Sequence, residues 1–239
     1  MNIVILQQAD WLDEQVALVR DARAVHIREV LKAAVGDSIR VGRLGGQRGQ
    51  AVIRAIEPNG VTLVVTTTEP PPPRHPFDIV LALPRPKMLR RILRTVAEFG
   101  VPQLHLIHSA RVEKSYWHSP LLHPEKLNAA LLAGMERSMD TLPPTIHLHK
   151  RFRPFVEDQL PDLCAGRPCW IADMGAPTGL AAAGSDPAVV LIGPEGGFVP
   201  FEVELATSVI ARRVHLGART LSVDTALTTA LAQGLPLHS

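Results

Sequence analysis

The sequence predicts a two-part α/β protein, a small β-rich amino-terminal domain followed by a larger domain built on a parallel sheet. Three observations carry this. Beyond residue 77, apolar runs of strand length alternate with segments of helical period, the pattern of a parallel sheet crossed by helices. Before residue 70, short apolar runs are separated by tight glycine turns. Between the two stands Glu69–Pro76, EPPPPRHP, a stiff extended run that fits a linker and not a sheet interior. The boundary is therefore expected at 72/73, with domains 1–72 and 73–239.

The elements follow in order. Ile3–Leu6 reads as a strand, and AVHIREVL (Ala24–Leu31) as a short helix with Val25, Ile27, Val30 and Leu31 at helical spacing. Asp37–Gly42, Gly49–Ile56 and Gly60–Thr66 read as strands parted by turns at Gly45-Gly46 and Pro58-Asn59-Gly60, which suggests a small barrel. Phe77–Leu83 is a continuous apolar run, as a doubly buried parallel strand requires. Lys87–Phe99 follows as a helix, its apolar face formed by Met88, Leu89, Ile92, Val96 and Phe99. Val101–Ile107, Thr145–Leu148, Cys169–Ala172, Val189–Ile192 and Arg213–Leu216 read as strands. Pro124–Ser138, Phe201–Ile210 and Val223–Leu231 read as helices.

Composition narrows the function classes. At 46% hydrophobic residues the chain can bury a full core. Aromatics make up only 4%, so rows of stacking aromatics are not expected to dominate any RNA contact. A net charge of +2 is too small to indicate nucleic acid by itself; clustering must carry that argument. Cys164 and Cys169 make neither a disulfide framework nor a zinc motif, and are read as reduced thiols. No secretory signal pattern opens the chain and no 18-residue apolar run exists, so a cytoplasmic protein without a membrane span is expected.

The chemistry concentrates near the carboxyl end. VVLIGPEGGF (Val189–Phe198) is an apolar run ending in a proline- and glycine-rich turn. VHLGARTLSVDTALTTAL (Val214–Leu231) repeats that pattern and continues into a helix of small residues. Strands that end in such turns present free backbone N–H groups where α/β sheets bind ligands, and glycine permits close approach. Two such loops separated by one helix are expected to form the walls of a nucleoside-sized pocket. There is no G-x-x-x-x-G-K-[ST] and no G-x-G-x-x-G after a strand, which excludes a P-loop and argues against a Rossmann dinucleotide site.

These segments resemble the RsmE family of the SPOUT superfamily, methyltransferases that act on N3 of a uridine in small-subunit ribosomal RNA. The family motif IGPEGG stands unchanged at Ile192–Gly197. Its second motif, LG-x-R-ILR-x-ETA, is matched by Leu216, Gly217, Arg219, Leu221, Thr225 and Ala226, with Ser222 where the family has arginine and Asp224 where it has glutamate. ALPRPKMLRRILRTVAEFGV (Ala82–Val101) resembles a further motif, with Thr95 at a family lysine. SARVEK (Ser109–Lys114) and GMERSMDTLPP (Gly134–Pro144) resemble two more, with Arg137 for a glutamine and Asp140 for an arginine. HIREVLK followed by GDSIRVG resembles the amino-terminal element of the family.

The resemblance implies a PUA-like RNA-binding barrel over 1–72 and a trefoil-knotted SPOUT domain over 73–239, the knot spanning about 189–231. It implies S-adenosyl-L-methionine as cofactor, ribosomal RNA or the small subunit as partner, a homodimer, and no metal or membrane. Leu191, Ile192, Gly193, Pro194, Gly196, Gly197, His215, Leu216, Gly217, Leu221, Ser222, Thr225 and Ala226 would hold the cofactor. Arg219 would stabilise anionic charge, and Asp224 would accept a proton or else cap the last helix. Arg28, Lys32, Arg40, Arg43, Arg85, Lys87, Arg91, Arg94 and Arg111 are the expected RNA contacts, forming a basic track. His147 and His149 share one strand face. The rival reading is an RNA-binding paralogue of altered target or without turnover, since Ser222 replaces a family arginine.

Overall fold

The computed structural model describes residues 2–184 and 186–235. The chain divides into two compact units, one made of residues 1–73 with 132–143, the other of 74–131 with 144–239.

The first unit is a five-stranded mixed sheet. Its strands are β1 (Val4–Leu6), β2 (Val16–Val19), β3 (Ser38–Arg43), β4 (Arg48–Glu57) and β5 (Gly60–Glu69), in the order β1-β3-β4-β5-β2. Only β1 with β3 is parallel; the other pairs are antiparallel, as short turns allow. Helix α1 (Ala22–Val25) runs into a π-helical turn (His26–Val30), so the expected helix at Ala24–Leu31 is present. Inward-facing Leu6, Val19, Ile27, Val41, Ile53 and Leu63 form this unit's core. Within it, Arg23 is buried against Asp10 (2.7 Å) and Asp21 (2.7 Å). Pairing of this kind is what makes a guanidinium tolerable away from water.

The second unit is a six-stranded sheet, every neighbouring pair parallel: β6 (Phe77–Ala82), β7 (Gln103–Ile107), β8 (Thr145–His149), β9 (Cys169–Ala172), β10 (Ala188–Ile192) and β11 (Arg212–Val214), in the order β11-β9-β10-β6-β7-β8. All residues of β6 and of β10 are buried. Both faces of the sheet are therefore covered, which is why these strands are unbroken apolar runs. The helices along this part of the chain are α2 (Pro86–Glu98), α3 (Pro124–Ser138), α4 (Phe152–Pro154) and α5 (Leu160–Cys164), the last two joined by a π-helical turn (Phe155–Gln159), then α6 (Pro200–Val209) and α7 (Val223–Gly234). The residues of α3 from Leu132 onward group with the first unit. Helix α2 begins with Pro86, whose missing N–H costs nothing in a first turn. It buries Leu89, Ile92, Leu93, Val96 and Ala97, while Met88 and Phe99, expected on that face, are only half-buried. Cys164 and Cys169 are buried free thiols.

On β7 and β8, His105, His147 and His149 stack: the His105 and His147 rings lie 4.3 Å apart, and His105 Nδ1 is 3.0 Å from His149 Nε2. Among the described residues they form no group able to hold a metal ion. Burial, then the neighbouring histidines, pushes His105 down to about 3, and burial lowers His149 in the same sense. The unfolded chain therefore binds more protons than the folded one between about pH 6.5 and 3. Stability is expected to fall as pH drops through that window, by up to about 1.4 kcal/mol per pH unit for each proton taken up. Urea denaturation at stepped pH checks this, and His105→Gln should reduce the slope; an unchanged slope in that variant would refute the assignment.

Candidate cofactor pocket

The carboxyl ends of three adjacent strands, β9, β10 and β11, feed one pocket of about 410 Å³, a size usual for small-molecule sites. Ala172, Asp173 and Met174 line it after β9. Ile192 to Phe198 line it after β10, and Leu216, Gly217, Arg219, Thr220 and Leu221 after β11. Val203 of α6 and Val223 and Ala226 of α7 complete the wall.

The first glycine loop is held from several sides. At Gly193 a Cβ would lie 2.9 Å from the Phe198 amide nitrogen, so only glycine lets the loop fold back this closely. Gly197 has φ +71°, and its N–H donates to the Pro194 carbonyl at 2.7 Å. Arg111 Nη1 donates to the carbonyls of Gly196 and Gly197. Glu195 pairs with Arg85 at 2.9 Å. Behind the loop, the buried Glu202 carboxylate accepts the N–H groups of Ala110 (2.7 Å) and Val199 (3.0 Å), fixing where α6 starts.

The second loop is braced through its backbone. The His215 N–H donates to the Thr178 carbonyl at 2.9 Å, the Leu180 N–H donates to the His215 carbonyl at 3.0 Å, and His215 Nδ1 accepts the Gly217 N–H at 3.2 Å. In the third loop Asp173 pairs with Arg213. At the start of α7 the Ser222 hydroxyl donates to Asp224 Oδ1 at 2.5 Å and lies 2.9 Å from Thr225 Oγ1, while Arg91 Nη1 reaches Asp224 Oδ2 at 2.9 Å.

The pocket thus collects Ile192, Gly193, Pro194, Gly196, Gly197, Leu216, Gly217, Leu221, Ala226 and Arg219 from the expected residues. Four expected cofactor residues do not line it. Leu191 is fully buried in the sheet core, because alternation along β10 turns its side chain away. His215 braces its own loop and packs against Gly179, and Ser222 and Thr225 hydrogen-bond at the start of α7. Asp224 lies outside the lining too, and Ser222, not Asp224, occupies the cap position of α7. The Asp224 carboxyl is held below the ordinary range, first by the Ser222 hydroxyl and then by Arg91. A carboxylate so stabilised is a weak base.

The expected RNA cations also sort by partner. Arg85, Arg91 and Arg111 are engaged around the pocket, on Glu195, Asp224 and the glycine-loop carbonyls. In the first unit Arg28 donates to the Glu57 carbonyl at 3.0 Å, Arg43 lies over the Trp11 ring, and Arg40 points to the Met139 sulfur. Lys32, Lys87 and Arg94 are exposed. Asp173 and Met174 are pocket residues that the sequence reading does not find. A signal for them exists: DMGAPTG directly follows the apolar CWIA strand, the same strand-then-glycine-turn pattern as the other two loops.

The lining suits S-adenosylmethionine. Ile192, Leu216, Leu221 and Val223 offer apolar walls to a purine, and exposed loop backbone offers hydrogen bonds to its edges.

A family model described as RNA methyltransferase domain matches residues 71–233. The chain is 32% identical over 242 residues to Ribosomal RNA small subunit methyltransferase E of Treponema pallidum (strain Nichols), an alignment that covers 97% of this chain and 90% of that relative. Its backbone is similar to the crystal structure of Ribosomal RNA small subunit methyltransferase E from Neisseria gonorrhoeae bound to S-adenosyl methionine, with a TM-score of 0.77, 18% identity, and coverage of 97% of this chain and 95% of that one. At that identity the likeness speaks for the fold.

Proposed function

This chain belongs to the RNA methyltransferase family, with RsmE-type relatives, and from that premise we propose that it methylates N3 of a uridine in small-subunit ribosomal RNA. It is an S-adenosylmethionine-dependent rRNA methyltransferase. The observation that carries the reading is the convergence of three strand-end loops, with IGPEGG among them, on one nucleoside-sized pocket.

When bound, the cofactor supplies a methyl group already activated on a sulfonium. The chain's part is to hold uracil N3 in line with that methyl, about 3–3.5 Å away, and to stabilise the anion left when N3 loses its proton. Arg219 is the cation that does the second of these, since it lines the pocket, is exposed, and has no ion pair among the described residues. The lining carboxylates are committed elsewhere, Asp173 to Arg213 and Glu195 to Arg85. Asp224 acts as a tie between α2 and α7 through Arg91, so the N3 proton leaves to water and the favourable step is stabilisation of the anion. The proposal extends to a PUA-like barrel over 1–72, a trefoil knot over about 189–231 and a homodimer in the cytoplasm. The mixed sheet of the first unit and the strand order β9-β10-β6 support the first two.

The test is incubation with methyl-labelled S-adenosylmethionine and small-subunit RNA, naked and assembled, followed by nucleoside mass spectrometry. Label in 3-methyluridine is the expected result. Label in another nucleoside would correct the target, and RNA binding without any label would favour a paralogue that has lost turnover.

A further inference from the structure

A second concavity of the larger unit, about 470 Å³, lies between the start of α2 and the 3₁₀ turn Pro120–Leu122. Pro86, Pro120 and Leu121 give it an apolar floor, and Lys87, Arg90 and Lys126 rim it. No carboxylate lines it, and none of the three cations has an ion pair among the described residues. Elsewhere on α2 the contrast is clear, since Arg91, one residue on, is paired with Asp224.

The groove and the cofactor pocket are neighbours along the chain. Pro86 follows Arg85, whose guanidinium holds Glu195 of the pocket wall. The chain's one tyrosine, Tyr116, stands half-buried on the 3₁₀ helix Lys114–His118 just before the groove wall, its hydroxyl donating to Glu113 at 3.0 Å. An apolar floor edged by unpaired cations is complementary to a nucleotide, whose base has an apolar face and whose phosphates are anionic. Single-stranded RNA can present both, whereas an A-form duplex keeps its bases stacked inside.

We propose that this groove holds the single-stranded RNA next to the target nucleotide, a base over Pro86, Pro120 and Leu121 and the flanking phosphates on Lys87, Arg90 and Lys126. The proposal rests on the RNA-directed function proposed for the pocket and deepens it by naming the substrate's form and its path away from the pocket.

The experiment measures binding of the full chain to a short single-stranded oligoribonucleotide across a salt series, with a duplex of the same sequence and calorimetric S-adenosylmethionine binding in parallel. Arg90→Ala with Lys126→Ala should lower single-strand affinity about tenfold and flatten the log–log salt slope by about 1.4, two phosphates at about 0.7 each. S-adenosylmethionine binding should stay unchanged, and Lys126→Arg alone should keep RNA affinity near wild type. Wild-type affinity and slope in the double variant would overturn the groove, as would a loss confined to duplex RNA or no RNA binding by the unsubstituted chain. Failure of methyl transfer by the unsubstituted chain would instead strike the functional reading, with RNA affinity and slope still deciding the groove.

Discussion

Gly193→Val is expected to weaken S-adenosylmethionine binding at least about 100-fold, roughly 2.8 kcal/mol, while the chain stays folded. The reason is the identity of the neighbours. A Cβ at Gly193 meets the Phe198 nitrogen at 2.9 Å and the Gly197 carbonyl carbon at 3.1 Å, both backbone atoms. Backbone cannot rotate out of the way, so the loop must unfold from the pocket. At Gly196 the corresponding neighbour is the Arg111 side chain, with Cδ at 3.1 Å, and a side chain can swing aside. Gly196→Ala should therefore cost much less. Isothermal titration of both variants, with thermal unfolding as a check on the fold, decides the matter; equal affinities for the two would refute the cradle.

Arg167→Ala should destabilise the larger unit by about 3–5 kcal/mol. Its partner Asp78 lies on β6, between β10 and β7, with a side chain only 2% exposed, and the Arg167 guanidinium 2.8 Å away is its ion pair. Asp78 Oδ1 has no hydrogen-bond partner, and Gln103 approaches Oδ2 only at 3.5 Å. Removing the cation leaves a buried carboxylate with little else to hold its charge. Replacing the pair together, Asp78→Leu with Arg167→Met, should recover most of the loss, because the penalty belongs to the unpaired charge. Urea denaturation of the single and double variants measures both terms. A loss below about 1 kcal/mol in Arg167→Ala would mean that water reaches Asp78.

What can be read from residues alone follows from how local each signal is. Phe77–Ala82 and Ala188–Ile192 are legible because burial on both faces keeps the run almost wholly apolar. The glycine loops are legible because their geometry demands a spelling. Strand β2 is not: it is four residues long, follows an acidic stretch and is only half-buried at alternate positions. The helical stretch from Phe152 to Cys164 is hidden by Pro154 and Pro161, which read as breakers yet sit where short helical pieces end and begin. The amino-terminal unit's share of α3 is likewise set by tertiary packing. The cations show the limit best. Arg85, Arg91 and Arg111 are legible as charge, but their partners Glu195, Asp224 and Gly196 lie far along the chain. No local pattern separates an arginine that braces a loop from one that waits for a phosphate.

The strand order also has a consequence for how the chain is made. Strands β6, β7 and β8 can pair as they leave the ribosome, but the other edge of β6 is reserved for β10, which starts only at Ala188. At roughly 5–20 residues per second, the stretch between Ile107 and Ala188 leaves that apolar edge open for on the order of ten seconds. A nascent chain in this state carries an unpaired strand that invites aggregation. Helix α7 contributes Val223 and Ala226 to the pocket wall, so the site is finished only after α7 itself has been translated. A nascent chain therefore gains its binding site late, after the strands that frame it and in one step with the arrival of α7.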